Sequence, residues 1–256
     1  MTTDATMAGA RPKRRRWPWV LAAVVVLLVA VVVAAELIAR AVVPGIVADK
    51  LRTALSLPAG HPVQVGVDGW ALPQVIGQRL DHVTASSDGV ALGALTADVS
   101  GTAEGVRFDG AMESAQISAD ISADQILALV STAGVPVEDV SFGDGVVTGS
   151  AALSVFGQHI PLALTLAPAV ADGDLQLTAE SVDVGGLTLS ADGVRERFGS
   201  LADSVIGPWP VCLRGQLPAG VRLTAVTVSP DALVATADLD GRIALDPSLQ
   251  AMGTCD

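Results

Sequence analysis

The chain lacks tyrosine altogether, and its aromatic residues are four Trp and four Phe. Carbohydrate-binding grooves usually stack sugars on aromatic faces, so this scarcity counts against one. Lysine is almost as rare, with Lys50 the only one beyond Glu36. Lysine-dependent phosphate chemistry is therefore nearly excluded. From Glu36 onward ten Lys and Arg stand against 26 Asp and Glu, a net charge of −16. So acidic a region, without basic clusters, is a poor nucleic-acid binder and cannot rely on broad attraction to anionic head groups. Lipid contact must come from apolar burial or from a few placed arginines such as Arg40, Arg52 and Arg79.

Catalytic constellations are also missing. His61, His82 and His159 are the only histidines, and no two lie at ligand spacing on one element. H-E-x-x-H, G-x-S-x-G, S-x-x-K and phosphate-loop signatures do not occur. Asp238-Leu239-Asp240-Gly241 resembles the start of a calcium loop but lacks the distal Glu, and a hairpin explains it better. The reading is no enzyme, no metal and no cofactor. Cysteine is limited to Cys212 and Cys255. In an oxidising compartment such a pair is most simply a disulfide, tying the last residues to the segment before the final strands.

What is present in abundance is apolar residue, 50% of the chain. Arg11, Lys13, Arg14, Arg15 and Arg16 lead into Trp17 and Trp19, and Val20 to Ala35 then contains no polar side chain. At ~1.5 Å per residue, Trp17 to Ala35 makes a helix of roughly 28 Å, a bilayer's hydrocarbon thickness. The basic cluster predicts a cytoplasmic N-terminus, and the Trp pair suits an interfacial belt. Residues 1–16 read as a disordered basic cytoplasmic tail and 17–36 as a transmembrane anchor. Residues 37–256 form one exported domain in the periplasm or cell envelope. A cleaved signal peptide is the rival, since Ala34-Ala35 precede Glu36, but the run exceeds the usual signal core of about 7–15 residues. Both readings export the same domain.

Within that domain Glu36 to Leu57 keeps helical periodicity, with Pro44-Gly45 expected to kink or break it. From Pro62 onward, alternating segments rich in Val, Thr, Leu and Ala are divided by Asp-Gly pairs at 68, 88, 109, 144, 172, 192 and 240. Asp-Gly between alternating segments is a hairpin signal. Expected strands are Val63–Val67, Leu80–Ser86, Leu92–Thr102, Gln116–Ile121, Val137–Phe142, Val146–Val155, Ile160–Leu166, Leu175–Ser181, Val184–Leu189, Val221–Val228 and Leu233–Leu239. Ser122 and Gln125 suggest a capping box opening a helix at Ala123–Ser131. A second helix is expected over Val194–Val205, with Phe198, Leu201 and Val205 on one face. The fold class is α+β: an N-terminal transmembrane helix, then a long curved, mainly antiparallel sheet with helices on its concave face. Leu162 to Leu166 looks apolar on both sides, as if buried on both faces or lining a ligand cavity.

The stretch from Val63 to Val83 is the most distinctive. A strand runs into Trp70-Ala71-Leu72-Pro73-Gln74-Val75-Ile76-Gly77 and then a second strand, too apolar for a solvated loop. It resembles the LmeA-like phospholipid-binding family of actinobacterial envelope proteins. Similar too are Asp88 to Leu95, the Ala123–Val130 helix, Pro161 inside an apolar strand, and Leu217 to Leu223 leading into Val226-Thr227-Val228. Trp70-Ala71-Leu72-Pro73 departs from the adjacent Phe-Pro expected there. The resemblance implies a curved sheet and helices enclosing an apolar groove that binds phospholipid, without catalysis, in envelope assembly or maintenance. Expected lining residues are Leu51 and Leu55, then Trp70, Leu72, Val75 and Ile76 at the turn, and Ile126, Leu127 and Val130 on the internal helix. The expected partners are phospholipid and membrane, with no nucleic acid. The alternatives are a non-catalytic envelope scaffold and, further off, a glycolipid-processing enzyme.

Overall fold

The computed structural model describes residues 17–54, 57–58, 60–92, 95–155, 158–199 and 206–255. The tail at 1–16 with its basic cluster, Leu55, and the expected helical residues Leu201 and Val205 lie outside the described residues. The first element is one helix, α1 (Trp17–Ala54), which runs through Pro44. Of the expected kink or break, the break does not occur. An internal proline removes one i→i−4 hydrogen bond, but it does not stop a helix whose flanks are held independently. Here the later turns are held against the first strand: Ala48 is buried, and Arg52 Nε donates to the His61 carbonyl at 2.8 Å.

Six strands form sheet A in the order β1 (Gln64–Val67), β2 (Arg79–Leu92), β3 (Leu95–Arg107), β4 (Ser114–Ile121), β12 (Leu233–Leu239) and β11 (Val221–Val228). Sheet B runs β10 (Trp209–Val211), β8 (Asp174–Val184), β7 (Gln158–Ala171), β6 (Val146–Val155) and β5 (Asp139–Gly143), with β9 (Leu187–Ser190) also on β8. All pairings are antiparallel and neither sheet closes on itself. The α+β class is as expected, with the strands divided between two sheets. Edge strand β11 lies against β7 and β8. Helix α2 (Ala71–Ile76) sits beside α1 and β2, α3 (Ala123–Thr132) rests on β3 and β5, and α4 (Ala191–Phe198) rests on β8 and β9. A last turn of helix, α5 (Pro247–Gln250), precedes the C-terminus.

Two Asp-Gly pairs make the expected two-residue hairpins. Asp144 and Gly145 have φ of 49° and 82°, and Asp172 and Gly173 have 54° and 85°, the doubly positive geometry whose twist matches the strands. Asp88-Gly89 does not turn the chain. It forms a bulge inside β2, where the register shifts between Ser87 and Val90 and Gly89 N–H bonds the Asp98 carboxylate at 2.8 Å. A glycine at positive φ serves a bulge as well as a turn, so the dipeptide alone does not choose. Asp192-Gly193 lies inside α4. Nor does the capping box form: Ser122 makes no side-chain cap, and Gln125 Oε1 instead accepts from Thr96 N–H.

Register gives each sheet one apolar face. On sheet A, Val83, Val90, Ala97, Leu223 and Ala237 share a side and are buried. On sheet B, Leu162, Leu164 and Leu166 of β7 stand opposite Ala151, Gly149 and Val147. Ala163 and Thr165 point the other way, where Thr165 Oγ1 meets Thr148 Oγ1 at 3.2 Å. Leu162 to Leu166 is therefore half-buried throughout rather than buried on both faces, because small and hydroxyl side chains fill its second side.

Candidate functional site

Sheet A has two distinct ends. At one, β1 ends, β2 begins, β3 ends, β4 begins and β12 ends; at the other, β2 turns into β3 and α3 begins. Helix α1 meets the first end at Glu36; at Arg52, about 24 Å further on, it lies beside His61, whose Nε2 is 2.9 Å from the Asp88 carbonyl, short of the β2–β3 turn. Glu36 is the first charged residue after the apolar run, and it clamps the 68–72 turn. Its carboxylate accepts the N–H groups of Ala71 and Leu72, each at 2.8 Å, and pairs with Arg40 Nε at 2.8 Å. Arg40 Nη2 in turn donates to the Gly69 carbonyl at 3.1 Å. The first N–H groups of a helix have no partner within it, and Trp70 at the cap position supplies none from its side chain. A carboxylate from another helix does that work here.

Helix α2 is thereby fixed in orientation. Ala71 and Gln74 form its buried side. Gln74 Nε2 donates to the Asp68 carbonyl at 2.7 Å, and its Oε1 accepts from Asp81 N–H at 3.0 Å, closing the loop on itself. Leu72 and Val75 are half-buried. Trp70 and Ile76 point outward, 69% and 75% exposed. Leu51, about four turns beyond Glu36, is half-buried partway along the sheet edge, and Leu55 is not among the described residues. Ile126, Leu127 and Val130 are half-buried on α3, at the opposite end. The expected lining residues are thus spread along sheet A, with those of α2 and α3 at its two ends. The 14 residues of β2 separate these ends by about 45 Å.

Residues not anticipated from sequence join the α2 end. Phe108, in the β3–β4 turn, bonds through its N–H to the Gln78 carbonyl at 3.1 Å and is 46% exposed. Leu245, 49% exposed, adjoins Gly110 of the same turn. An aromatic placed directly before an Asp-Gly turn was the available signal for Phe108. For Glu36 it was an i,i+4 acid–base pair at the exit of the apolar run; Arg40, expected as a candidate for lipid contact, instead bonds Glu36 and the Gly69 carbonyl.

Elsewhere the chemistry is structural. The polar side of sheet A carries an open trough of about 530 Å³, lined by Gln64, Thr84, Ser86, Ser100, Thr102, Gln116 and Ser118, with no charged side chain. Cys212 and Cys255 form the expected disulfide, with Cα atoms 5.9 Å apart. Beside it, Arg214 Nη2 lies 2.8 Å and Leu213 N–H 3.2 Å from the Asp174 carboxylate. Arg214's hydrogen bond, aided by Leu213 N–H, holds the Asp174 pKa below its ordinary value. Among the described residues no group of three His, Cys, Asp or Glu is placed to hold a metal ion.

The apolar surface is thinly covered. Among the described residues only Ala48, Ala71, Leu80, Val83, Val90, Ala97, Val140, Ala179, Ile206, Leu223 and Ala237 are buried apolar side chains. Most of them are Ala or Val, and most other apolar residues of the two sheets are only half-buried. One segment of α1, Val25–Thr53, is long and apolar enough to cross a membrane, with a mean hydropathy of 2.6. No curated protein and no solved structure shows significant similarity to the chain. Residues 34–238 match the family described as LmeA-like phospholipid-binding, and the chain belongs to that family.

Proposed function

We propose that this protein is a single-pass membrane protein whose extracytoplasmic domain binds phospholipid without catalysing a reaction on it. It holds or passes the lipid during envelope assembly or maintenance. Membership of a phospholipid-binding family carries the reading. The half-buried apolar residues spread along sheet A support it: Leu72 and Val75 on α2, Leu51 on α1, and Ile126, Leu127 and Val130 on α3. An acyl chain laid against any of these groups gains about 0.8 kcal/mol for each CH₂ removed from water, so a partly covered chain is retained without strong charge pairing. An acidic domain needs such a charge-independent grip.

Native mass spectrometry of the full chain, extracted in detergent from the membrane in which it is made, tests the reading. The expected spectrum contains protein carrying phospholipid, with the bound fraction reduced in Val75→Asp. A wild-type protein that is folded, carries no lipid and takes none from liposomes would overturn it.

A further inference from the structure

The α2 end of sheet A presents four exposed apolar side chains from three separate connections, set among the ion pairs Arg79–Glu113, Arg107–Asp109 and Arg242–Asp240. Trp70 and Ile76 come from the β1–β2 connection, Phe108 from the β3–β4 turn and Leu245 from the segment after β12. Hydrogen bonds hold the three together: Phe108 N–H to the Gln78 carbonyl at 3.1 Å, and Met112 N–H to the Gly241 carbonyl at 2.8 Å. Single exposed apolar residues are common and need no explanation. Four large ones gathered at one end of a sheet, two of them aromatic, call for a reason.

The position of these side chains along α1 decides what covers them. Arg40 reaches Gly69, and Glu36 reaches Ala71 and Leu72, so Trp70 stands level with residues 36–40. Those residues are the first turn of α1 beyond the uncharged run, and Leu37 and Ile38 beside them are 63% and 64% exposed. The same helix continues from Glu36 through the apolar run, away from the domain. The four side chains therefore stand at the level where the apolar run of α1 ends. Trp is the side chain favoured at the head-group level, where an apolar ring and a polar N–H are both accommodated.

We infer that Trp70, Ile76, Phe108 and Leu245 insert into the outer surface of the bilayer that α1 crosses, docking the domain with its α2 end on the membrane. The inference rests on the anchored reading above. Docking sets Leu72 and Val75 against the lipid surface, so that a phospholipid enters the apolar face at α2 without crossing water. The Glu36–Arg40 clamp supplies the rigidity: it ties α2 to the helix that fixes depth. Binding here is by apolar insertion, since the acidic domain offers no broad positive surface.

The test uses the full chain reconstituted in phosphatidylcholine vesicles, with and without bromine on acyl carbons close to the head group. Bromine quenches indole emission on contact, and subtracting the signal of Trp70→Phe isolates Trp70 from the other three tryptophans. The expected result is loss of the Trp70 signal in the brominated vesicles. A Phe108→Trp change in the Trp70→Phe background is expected to create a second quenched indole. Membrane-inserted protein in which bromine touches neither the Trp70 signal nor that of the indole introduced by Phe108→Trp would overturn docking while leaving lipid binding open. Protein that fails to co-float with the vesicles would instead remove the anchor, and docking with it. Docking that survives while native spectra show no bound lipid would remove the lipid-carrying reading alone.

Discussion

Paired substitutions at Val75 and Leu223 separate a lipid-contacting wall from a packed core. Leu223 is 4% exposed on the apolar side of β11, where its removal leaves a cavity. Leu223→Ala is expected to cost about 2–5 kcal/mol of stability. At roughly 2–4 °C per kcal/mol for a domain of this size, its melting temperature falls by about 4–20 °C. Val75 is half-buried on a helix already fixed by the Glu36 clamp and by Gln74. Val75→Asp is expected to cost on the order of 1 kcal/mol in folding. It also removes about three apolar carbons from the lipid, roughly 2 kcal/mol of contact, or about a thirtyfold loss of affinity at 1.4 kcal/mol per decade. Thermal melts in detergent read the first quantity, and the lipid-bound fraction in native spectra reads the second. Leu223→Ala should melt early and keep its lipid below the melt, whereas Val75→Asp should melt late and lose it. A Val75→Asp protein that unfolds as readily as Leu223→Ala, with no lipid on the wild type, would refute the argument and make α2 a plug in a solid core.

Replacing both Cys212 and Cys255 by Ser opens a loop spanning 43 positions; chain entropy alone assigns such a closure about 4 kcal/mol, so denaturant midpoints of the oxidised protein and the double variant should differ clearly. The Asp174 pKa is lowered in the folded state by Arg214 and Leu213 N–H. The unfolded chain therefore binds the extra proton first; this contribution is complete above the unfolded pKa of about 3.9 and is lost as pH falls below it through the folded value. Hydrogen exchange at Leu213 should accelerate in that acid window, and Asp174→Asn should show the faster exchange already at neutral pH. Sequencing the mature N-terminus from membranes should find the apolar run retained, and a start near Glu36 would replace the anchor with a signal peptide.

Local pattern was enough for much of the fold. Val146–Val155, Val221–Val228 and Leu233–Leu239 are strands with the expected bounds, because alternation of apolar and polar side chains over seven or more residues leaves one face to bury. Asp144-Gly145 and Asp172-Gly173 turn because both residues accept positive φ. Short or proline-bearing segments were less legible. Strand β10, Trp209–Val211, pairs with β8 although Pro210 lacks an N–H, which a strand with a neighbour on one side tolerates.

The sequence by itself determined the family, the apolar helix, the α+β class, the strand-rich texture and the disulfide, since each follows from a local pattern, a resemblance or the presence of just two cysteines. Tertiary structure alone decided that the strands form two sheets, because β4 pairs with β12 across more than a hundred residues and no local window encodes that complementarity. It also decided that Asp88-Gly89 bulges, that Glu36 caps a helix 35 residues away, and that Phe108 and Leu245 join Trp70 at one end. A side chain's periodicity says which face it occupies. What lies opposite that face depends on how distant segments meet.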